Sequence, residues 1–173
     1  MYAFRKVGVE SADVLIKLWT ETFAQAYHDI HSLENIRAYC AQNYSAGDAT
    51  AMLSSDQVDC IIAYREEVPV GYYLLKYQPC PMQLDGASSE LKQIYILASE
   101  YGTGLGRALA EHAFGIARRA GSKWIWLCVS NANYRAQKFY KRLNFEPVAP
   151  GPILVVGTDK LSSTIMALRI GES

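Results

Sequence analysis

A glycine-rich turn between an apolar strand and an amphipathic helix constrains the fold more than any other feature of the sequence. The apolar run ends at Leu97, and Gly102, Gly104 and Gly106 then alternate with other residues where the helix begins. Glycine adopts positive φ angles and lets the backbone approach a ligand closely. The first amides of a helix lack intrahelical acceptors and carry the positive end of the helix dipole. The turn is therefore predicted to bind a pyrophosphate.

Two common phosphate-binding patterns do not fit this turn. A P-loop has Lys and then Ser or Thr after its last glycine, whereas Arg107-Ala108 follows Gly106. A dinucleotide-binding fold has its glycines after the first strand and an acidic residue about 20 positions further on. Here the strand predicted over 123–129 ends in Ser130-Asn131, which offers no carboxylate to a ribose. The ligand is therefore expected to belong to another class.

A second motif follows this strand. It reads N-x-x-A-x-x-F-Y-x-x-x-x-F and runs from Asn133 to Phe145. The glycine turn, the strand and this motif, in that order, resemble the Gcn5-related N-acetyltransferases (GNAT), which bind acetyl-CoA. Tyr101 stands where the family usually has Gln or Arg, and this removes a side chain but not the backbone amides. Asn144 stands where the family usually has Gly, and Asn is the next-best residue for a left-handed helix terminus.

The resemblance implies an α/β (α+β) fold with a mixed central sheet of about seven strands, flanked by helices and splayed between its two central strands. The length of 173 residues is sufficient for one hydrophobic core and predicts a single domain over residues 1–173. Apolar residues recur with helical spacing after the candidate N-caps Ser11 and Ser32. Further helices are predicted over 48–53 and from Leu105 to Gly121, and strands over 2–9, 58–64, 70–77, 90–97, 123–129, 145–148 and 164–170.

Composition argues against several kinds of partner. The chain has 17 basic and 17 acidic residues, so it lacks the positive surface typical of nucleic-acid binding. No apolar run is long enough to span a bilayer, and the N-terminus lacks a signal-peptide core, so no membrane partner is expected. Four cysteines without a C-x-x-C pair indicate free thiols in a cytoplasmic protein. His28 and His31 have no visible third ligand, so no metal site is expected.

The resemblance assigns acetyl-CoA contacts to three segments. Backbone N–H groups of the central strand contact the acetyl end at Tyr95, Ile96 and Leu97. The pyrophosphate lies on the glycine turn, which comprises Gly102, Thr103, Gly104, Leu105, Gly106 and Arg107. The second motif contributes Asn133, Arg135, Phe139 and Arg142, and guanidinium groups bind phosphate bidentately. A solvated helix face is an equal alternative for the two arginines of this motif, and helix packing is the alternative for Phe139.

Acetyl transfer to an amine has three requirements. The amine must lose a proton, the oxyanion needs donors, and the departing thiolate must gain a proton. The resemblance implies Tyr140 as the general acid, since a phenol with a pKa of about 10 stays protonated at neutral pH; helix packing is the alternative. Glu90 is the candidate general base, directly or through a water, against the alternative of an ordinary exposed strand residue. Lys92 lies on the same strand face and is placed to keep Glu90 ionised.

A narrower resemblance concerns the acceptor. The opening helices, the segments 93–97 and 125–127, and the tail at 155–159 are similar to the bacterial PaiA-type branch of spermidine/spermine acetyltransferases. This implies a small-molecule primary amine, polyamine-like, and allows a homodimer. Ser130-Asn131 replaces the Trp-Glu that this branch often has, which removes an acidic residue from the acceptor side. The alternatives are a protein N-terminus or lysine as acceptor, and a non-catalytic acyl-CoA-binding sensor.

Overall fold

The computed structural model describes residues 1–171 and contains a seven-stranded mixed sheet. Within these residues the strands are β1 (Tyr2–Lys6), β2 (Val58–Arg65), β3 (Val68–Lys76), β4 (Ser88–Ile96), β5 (Trp124–Ser130), β6 (Glu146–Pro150), β7 (Leu154–Val156), β8 (Asp159–Leu161) and β9 (Ser163–Arg169). The α-helices are α1 (Ala12–Tyr27), α2 (Leu33–Asn43), α3 (Ala46–Ser54), α4 (Leu105–Arg119) and α5 (Tyr134–Arg142). The large sheet has the order β1-β2-β3-β4-β5-β9-β6, and β7 and β8 form a separate hairpin.

The pairing between β4 and β5 is the irregular part of the sheet. These two strands are parallel and pair over three residues only, Ser88–Glu90 with Trp124–Trp126. Beyond that point β4 stays paired with β3 as far as Ile96, while β5 pairs with β9 along its whole length. The predicted splay between the two central strands is therefore confirmed, and it opens a gap in the middle of the sheet.

Helices cover both faces of the sheet. On one face, Leu105 and Leu109 of α4 are fully buried in the apolar core. On the other face, Leu15 and Trp19 of α1 pack in a second core with Tyr72 of β3. Burying one large apolar side chain contributes roughly 1.5–3 kcal/mol, so these two layers hold β3 and β4 in place even where β4 has lost its partner on one edge.

The two predicted N-caps have different outcomes. Ser32 caps α2, since its Oγ accepts a hydrogen bond from the Asn35 N–H at 3.2 Å, and the prediction is confirmed. Ser11 occupies the N-cap position of α1 but makes no capping hydrogen bond with its side chain. A 3₁₀ turn over Val9–Ser11 already leads into this helix. The expected capping role of Ser11 is therefore wrong.

The predicted elements are present with shifted ends, and one hairpin was not predicted. β1 ends at Lys6 rather than at residue 9, and α3 begins at Ala46 rather than at residue 48. The β7–β8 hairpin has two strands of three residues each. Strands this short are below the four to eight residues over which alternation becomes readable. Residues 1–171 include no helix that combines the length and the apolar character needed to cross a membrane.

Asn144 follows α5 with a φ of +67°, the left-handed conformation expected at this helix terminus. We expect Asn144→Val to lower the free energy of unfolding by about 1–2 kcal/mol, because the left-handed region costs a residue with a Cβ roughly that much. Asn144→Gly is the control, since glycine adopts this conformation freely. Urea unfolding measures both variants, and equal stability of the two would contradict the conformational explanation.

Candidate active site

Two cavities meet at the splay between β4 and β5. The larger has a volume of about 770 Å³ and lies between the sheet, α1–α3 and the β7–β8 hairpin. We call it the aromatic cavity, because its lining includes Trp19, Phe23, Tyr27, Tyr39 and Tyr44. The smaller has a volume of about 460 Å³, lies among β4, the glycine turn and α5, and is called the turn cavity. Both are bordered by Tyr27, Lys92, Gln93, Tyr95 and Cys128.

The turn cavity collects most of the predicted cofactor contacts. At its wall lie Tyr95, Ile96, Gly102, Gly104, Gly106, Arg107, Asn133, Arg135, Phe139 and Arg142, together with the predicted acid Tyr140. Leu97, Thr103 and Leu105 do not line it, and Leu105 is fully buried in the core. Glu90 lines the aromatic cavity instead. The predicted acid and the predicted base therefore lie in adjoining cavities.

The glycine turn presents unpaired amides to the turn cavity. Gly102 and Gly104 have φ angles of +79° and +88°, and a Cβ at either would meet nothing within 4 Å. Glycine is therefore required by the backbone conformation, not by crowding within the protein. Within residues 1–171, no hydrogen-bond acceptor is found for the N–H groups of Gly102, Gly104, Gly106 and Arg107. These amides surround the start of α4, where the helix dipole attracts an anion.

The other two residues of the turn have structural roles. Thr103 donates its N–H to the Glu100 carbonyl at 3.3 Å, and its Oγ1 accepts the Leu105 N–H at 3.3 Å. The Glu100 carboxylate is buried and accepts hydrogen bonds from Arg65 at 2.5 Å and from the Tyr2 hydroxyl at 2.7 Å. The turn is thus fixed to β1 and β2 through Glu100.

Arg135 bridges the turn and α5. Its guanidinium lies 4.0 Å from the centre of the Tyr101 ring and donates a hydrogen bond to the Tyr101 hydroxyl at 2.8 Å. Arg135 stays solvent-exposed on α5, and this contact places its guanidinium beside the turn cavity. Arg142 also borders this cavity, whereas the Arg107 side chain pairs with Glu111 at 2.8 Å on the helix surface.

Asn133 and Phe139 have packing roles as well as positions at the cavity wall. The Asn133 Oδ1 accepts the Ala136 N–H at 3.1 Å and caps α5. Its side-chain NH₂ group and the second lone pair of Oδ1 are left for a ligand. The Phe139 ring lies 3.4 Å from where a Cβ on Gly106 would be. Gly106 thus allows α4 and α5 to approach closely, and the packing alternative for Phe139 describes part of its role.

The splayed edge of β4 offers backbone donors. Leu97 donates its N–H to the Val70 carbonyl at 2.9 Å, so this amide is not available to a ligand. Donors alternate along an antiparallel strand, so Tyr95 points its N–H toward β3 as well. Ile96 and Ile94 then point theirs toward the open edge. Of the three predicted backbone donors, only the Ile96 N–H therefore faces the open edge. The Ile94 N–H, which was not predicted, faces the same edge.

Tyr140 combines a protected hydroxyl with access to the turn cavity. Its ring packs against Phe139 and Phe145 at centroid distances of 5.4 Å and 5.7 Å. Burial raises the pKa of Tyr140 well above its ordinary value. The phenol therefore stays protonated over the whole physiological pH range, which suits a group that donates a proton.

Glu90 is a buried carboxylate with 6% of its surface exposed, so it is not an ordinary exposed strand residue. One of its oxygens accepts a hydrogen bond from the Gln78 side chain. The other, Oε1, lies 4.0 Å from the Lys92 Nζ. Glu90 faces the aromatic cavity next to the splay, where an incoming amine would meet it.

The β7–β8 hairpin closes the aromatic cavity from a distant part of the chain. His31 Nδ1 lies 2.6 Å from the Asp159 Oδ2, and the Asn35 Oδ1 accepts the Thr158 N–H at 3.1 Å. His31 thus pairs with a carboxylate, and residues 1–171 contain no group of three side chains suited to a metal ion. The sequence did not predict that the β7–β8 hairpin closes this cavity, because the contacts that attach it join residues 123 and 128 positions apart.

Residues 15–145 match the model of the Acetyltransferase (GNAT) family. The chain belongs to this family. Among curated relatives, an uncharacterized N-acetyltransferase of Mycobacterium tuberculosis is 28% identical over 135 residues, which cover 78% of this chain and 83% of the relative. A counterpart from Mycobacterium bovis matches to the same extent. By family, the GNAT chain is thus an N-acetyltransferase.

Solved structures agree on the fold of this GNAT protein. The PaiA N-acetyltransferase of Thermoplasma acidophilum, in complex with coenzyme A, has a TM-score of 0.81 at 20% identity and covers 98% of this chain and 99% of its own. The yncA protein of Salmonella typhimurium, with its cofactor acetyl-CoA, has a TM-score of 0.73 at 18% identity and covers 99% and 95%. At these identities the likeness establishes the GNAT fold.

A matched pair of glycines tests the role of the turn. Gly104 and Gly121 lie at opposite ends of α4, have φ angles of +88° and +89°, and leave open space for a Cβ. Both Gly→Ala variants should lose about 1–2 kcal/mol of stability, because each forces a left-handed residue with a Cβ. Only Gly104→Ala should also raise the KM for acetyl-CoA, by about tenfold or more. Equal KM values for acetyl-CoA in steady-state assays of the two variants would contradict pyrophosphate binding at the turn.

Proposed function

We propose that this GNAT chain transfers an acetyl group from acetyl-CoA to the primary amine of a small molecule, by direct attack in a ternary complex. The observation that carries the proposal is the junction of the two cavities at the splay, with Tyr140 on one side and Glu90 on the other. Two structural relatives were solved with coenzyme A or acetyl-CoA, which supports acetyl-CoA as the co-substrate.

The pyrophosphate of acetyl-CoA would lie on the free amides of Gly102, Gly104, Gly106 and Arg107. Backbone N–H groups at a helix start bind phosphate without any conserved side chain. Arg135 would supply the positive charge that the turn itself lacks at Tyr101, because its guanidinium already lies against that ring. The pantetheine arm would then follow β4 toward the splay.

Four groups of this chain would carry the chemistry. Glu90 takes a proton from the acceptor ammonium, directly or through a water, so that the nitrogen lone pair can attack the acetyl carbonyl. The Ile96 N–H, with that of Ile94, opposes the negative charge that develops on the carbonyl oxygen. Tyr140 donates its proton to the sulfur as the C–S bond breaks. The nitrogen of the tetrahedral intermediate gives its second proton to water, and the Tyr140 phenolate regains a proton from solvent. The products are the N-acetyl amine and the free thiol of CoA.

The acceptor is proposed to be a primary aliphatic amine. The PaiA-type resemblance implies a polyamine-like chain, and neutral tyrosine faces in the aromatic cavity favour cations. However, Asp48 and Glu90 are matched there by Lys76 and Lys92, so a polycation would meet no net negative charge. We therefore expect spermidine to bind weakly and in a salt-sensitive manner.

Acetyl-CoA consumption, followed with a thiol reagent, tests the proposal against a panel of amines and an N-terminal peptide. Turnover with small amines supports it, and a clear preference for the peptide would indicate a protein-modifying enzyme. Tight CoA binding without turnover for any acceptor would indicate a sensor.

We also propose a cytoplasmic location, which the free thiols of Cys40, Cys60, Cys80 and Cys128 support. The resemblance allows a homodimer, and size-exclusion chromatography with light scattering tests this oligomeric state.

Removal of one hydroxyl tests the general acid. Tyr140→Phe keeps the ring packing, so kcat should fall by roughly 10²–10⁴-fold with little change in CoA affinity. Tyr134→Phe is the control, because Tyr134 lies on the same helix and is 73% exposed. A loss of less than about fivefold in the Tyr140 variant would mean that water protonates the thiolate.

Removal of one charge tests the general base. Glu90→Gln keeps the shape of the side chain and its contact with Gln78, and kcat should fall by about 10²-fold or more. In the unmodified enzyme kcat/KM should rise between about pH 7 and 9, because a larger fraction of the acceptor amine is neutral at the higher pH. Glu146→Gln, on exposed β6, is the control. If kcat of the Glu90 variant equals that of the control, Glu90 is not the general base, and solvent deprotonates the acceptor amine.

A further inference from the structure

Three charged side chains lie side by side on the face of the sheet that borders the aromatic cavity. Lys76 of β3 is the direct cross-strand partner of Glu90 on β4. Lys92 follows on β4 at a register shift, so that Leu75 pairs with Leu91 while Leu74 pairs with Gln93. All three side chains line the cavity. One carboxylate and two ammonium-bearing side chains therefore border the proposed acceptor site together.

The charged groups of Lys76, Glu90 and Lys92 do not form close ion pairs with one another. The Glu90 Oε1 and the Lys92 Nζ are 4.0 Å apart, which is longer than a hydrogen bond. Within residues 1–171, Lys76 forms no ion pair within 4.0 Å and no side-chain hydrogen bond. If the two lysines served only to neutralise Glu90, direct hydrogen bonds among the three groups would be expected. The arrangement leaves one negative and two positive groups directed at the cavity.

Aromatic rings form another part of the cavity lining. Phe23 stacks on Tyr39 at a centroid distance of 4.4 Å, and Trp19 stacks on Tyr44 at 4.9 Å. Burial raises the pKa of Tyr44 and of Tyr95, so both phenols stay neutral and add no negative charge. Trp19, Phe23 and Tyr44 are themselves buried. The partly exposed rings of Tyr27 and Tyr39 offer surface to a flat apolar group, since aromatic rings prefer to pack against one another.

We propose that the acceptor is an α-amino acid with an aromatic side chain, a refinement that rests on the proposed N-acetyltransferase function. Its ammonium group lies at Glu90, its carboxylate faces the ammonium group of Lys92, and its ring lies on the aromatic rings of the cavity. The ammonium and carboxylate of an α-amino acid are joined through one carbon, so the pair matches the adjacent negative and positive groups on β4. A polyamine would bring its charges against both lysines.

Four acceptors separate the elements of this proposal. L-Phenylalanine carries the ring, the amine and the carboxylate; phenethylamine lacks the carboxylate, L-alanine lacks the ring, and spermidine lacks both. We expect kcat/KM for phenylalanine to exceed that for each of the others by about tenfold or more, the loss typical of one missing charged hydrogen bond or one buried ring. Equal or higher kcat/KM for phenethylamine or spermidine would overturn the proposal.

Charge reversal links the preference to one side chain. Lys92→Glu should invert the ratio of kcat/KM for phenylalanine over phenethylamine, because the new carboxylate repels one acceptor and attracts cations. Lys17→Glu is the control, since Lys17 is exposed on α1 and borders neither cavity. An unchanged ratio in the Lys92 variant would contradict the assignment of the acceptor carboxylate.

A binding measurement separates this inference from the proposed reaction. Calorimetric titration of phenylalanine into protein saturated with CoA reports the site without turnover. Binding that is lost in Lys92→Glu, without acetylation of any amine, would keep the amino-acid site and overturn the N-acetyltransferase proposal. Acetylation of other amines without phenylalanine binding would do the reverse.

Discussion

The short pairing of β4 with β5 is the constraint on which the rest of the structure depends. A strand edge inside a protein carries backbone N–H and C=O groups that must find partners, because leaving them buried and unpaired is costly. After three paired residues β4 loses its neighbour on one side, yet β3 and the two apolar cores hold it in the sheet. The unpaired edge is therefore stable only because it faces a cavity, and the same groups become donors for a ligand.

The gap also explains why two kinds of chemistry occur close together. The glycine turn and α5 lie on the side where α4 packs, and the aromatic rings lie on the side where α1–α3 pack. A continuous sheet would separate these two sides completely. The splay interrupts the sheet at Glu90, the last β4 residue that β5 pairs with. Groups from both faces can then act on one bond.

The features that could be predicted from the sequence are those set by neighbouring residues. The positive φ angles at Gly102, Gly104 and Asn144 follow from residue types that tolerate them, and the order of strands and helices follows from short-range periodicity. The features that could not be predicted are contacts between residues far apart in the sequence. Nothing near Arg135 indicates that its guanidinium lies on Tyr101, and nothing in the hairpin sequence indicates its attachment to α2. These contacts depend on tertiary approach, which periodicity does not report.

Tyr27 illustrates what the shared wall of the two cavities means for ligand binding. Its ring borders both spaces, and its hydroxyl lies 3.1 Å from that of Tyr95 in the same wall. Any displacement of this pair by a molecule in one cavity changes the shape offered to the other. The two affinities are then thermodynamically linked, and the linkage is reciprocal. Two phenols that border both cavities thus couple the two binding sites, so that a molecule in either cavity changes the affinity of the other cavity for its own ligand.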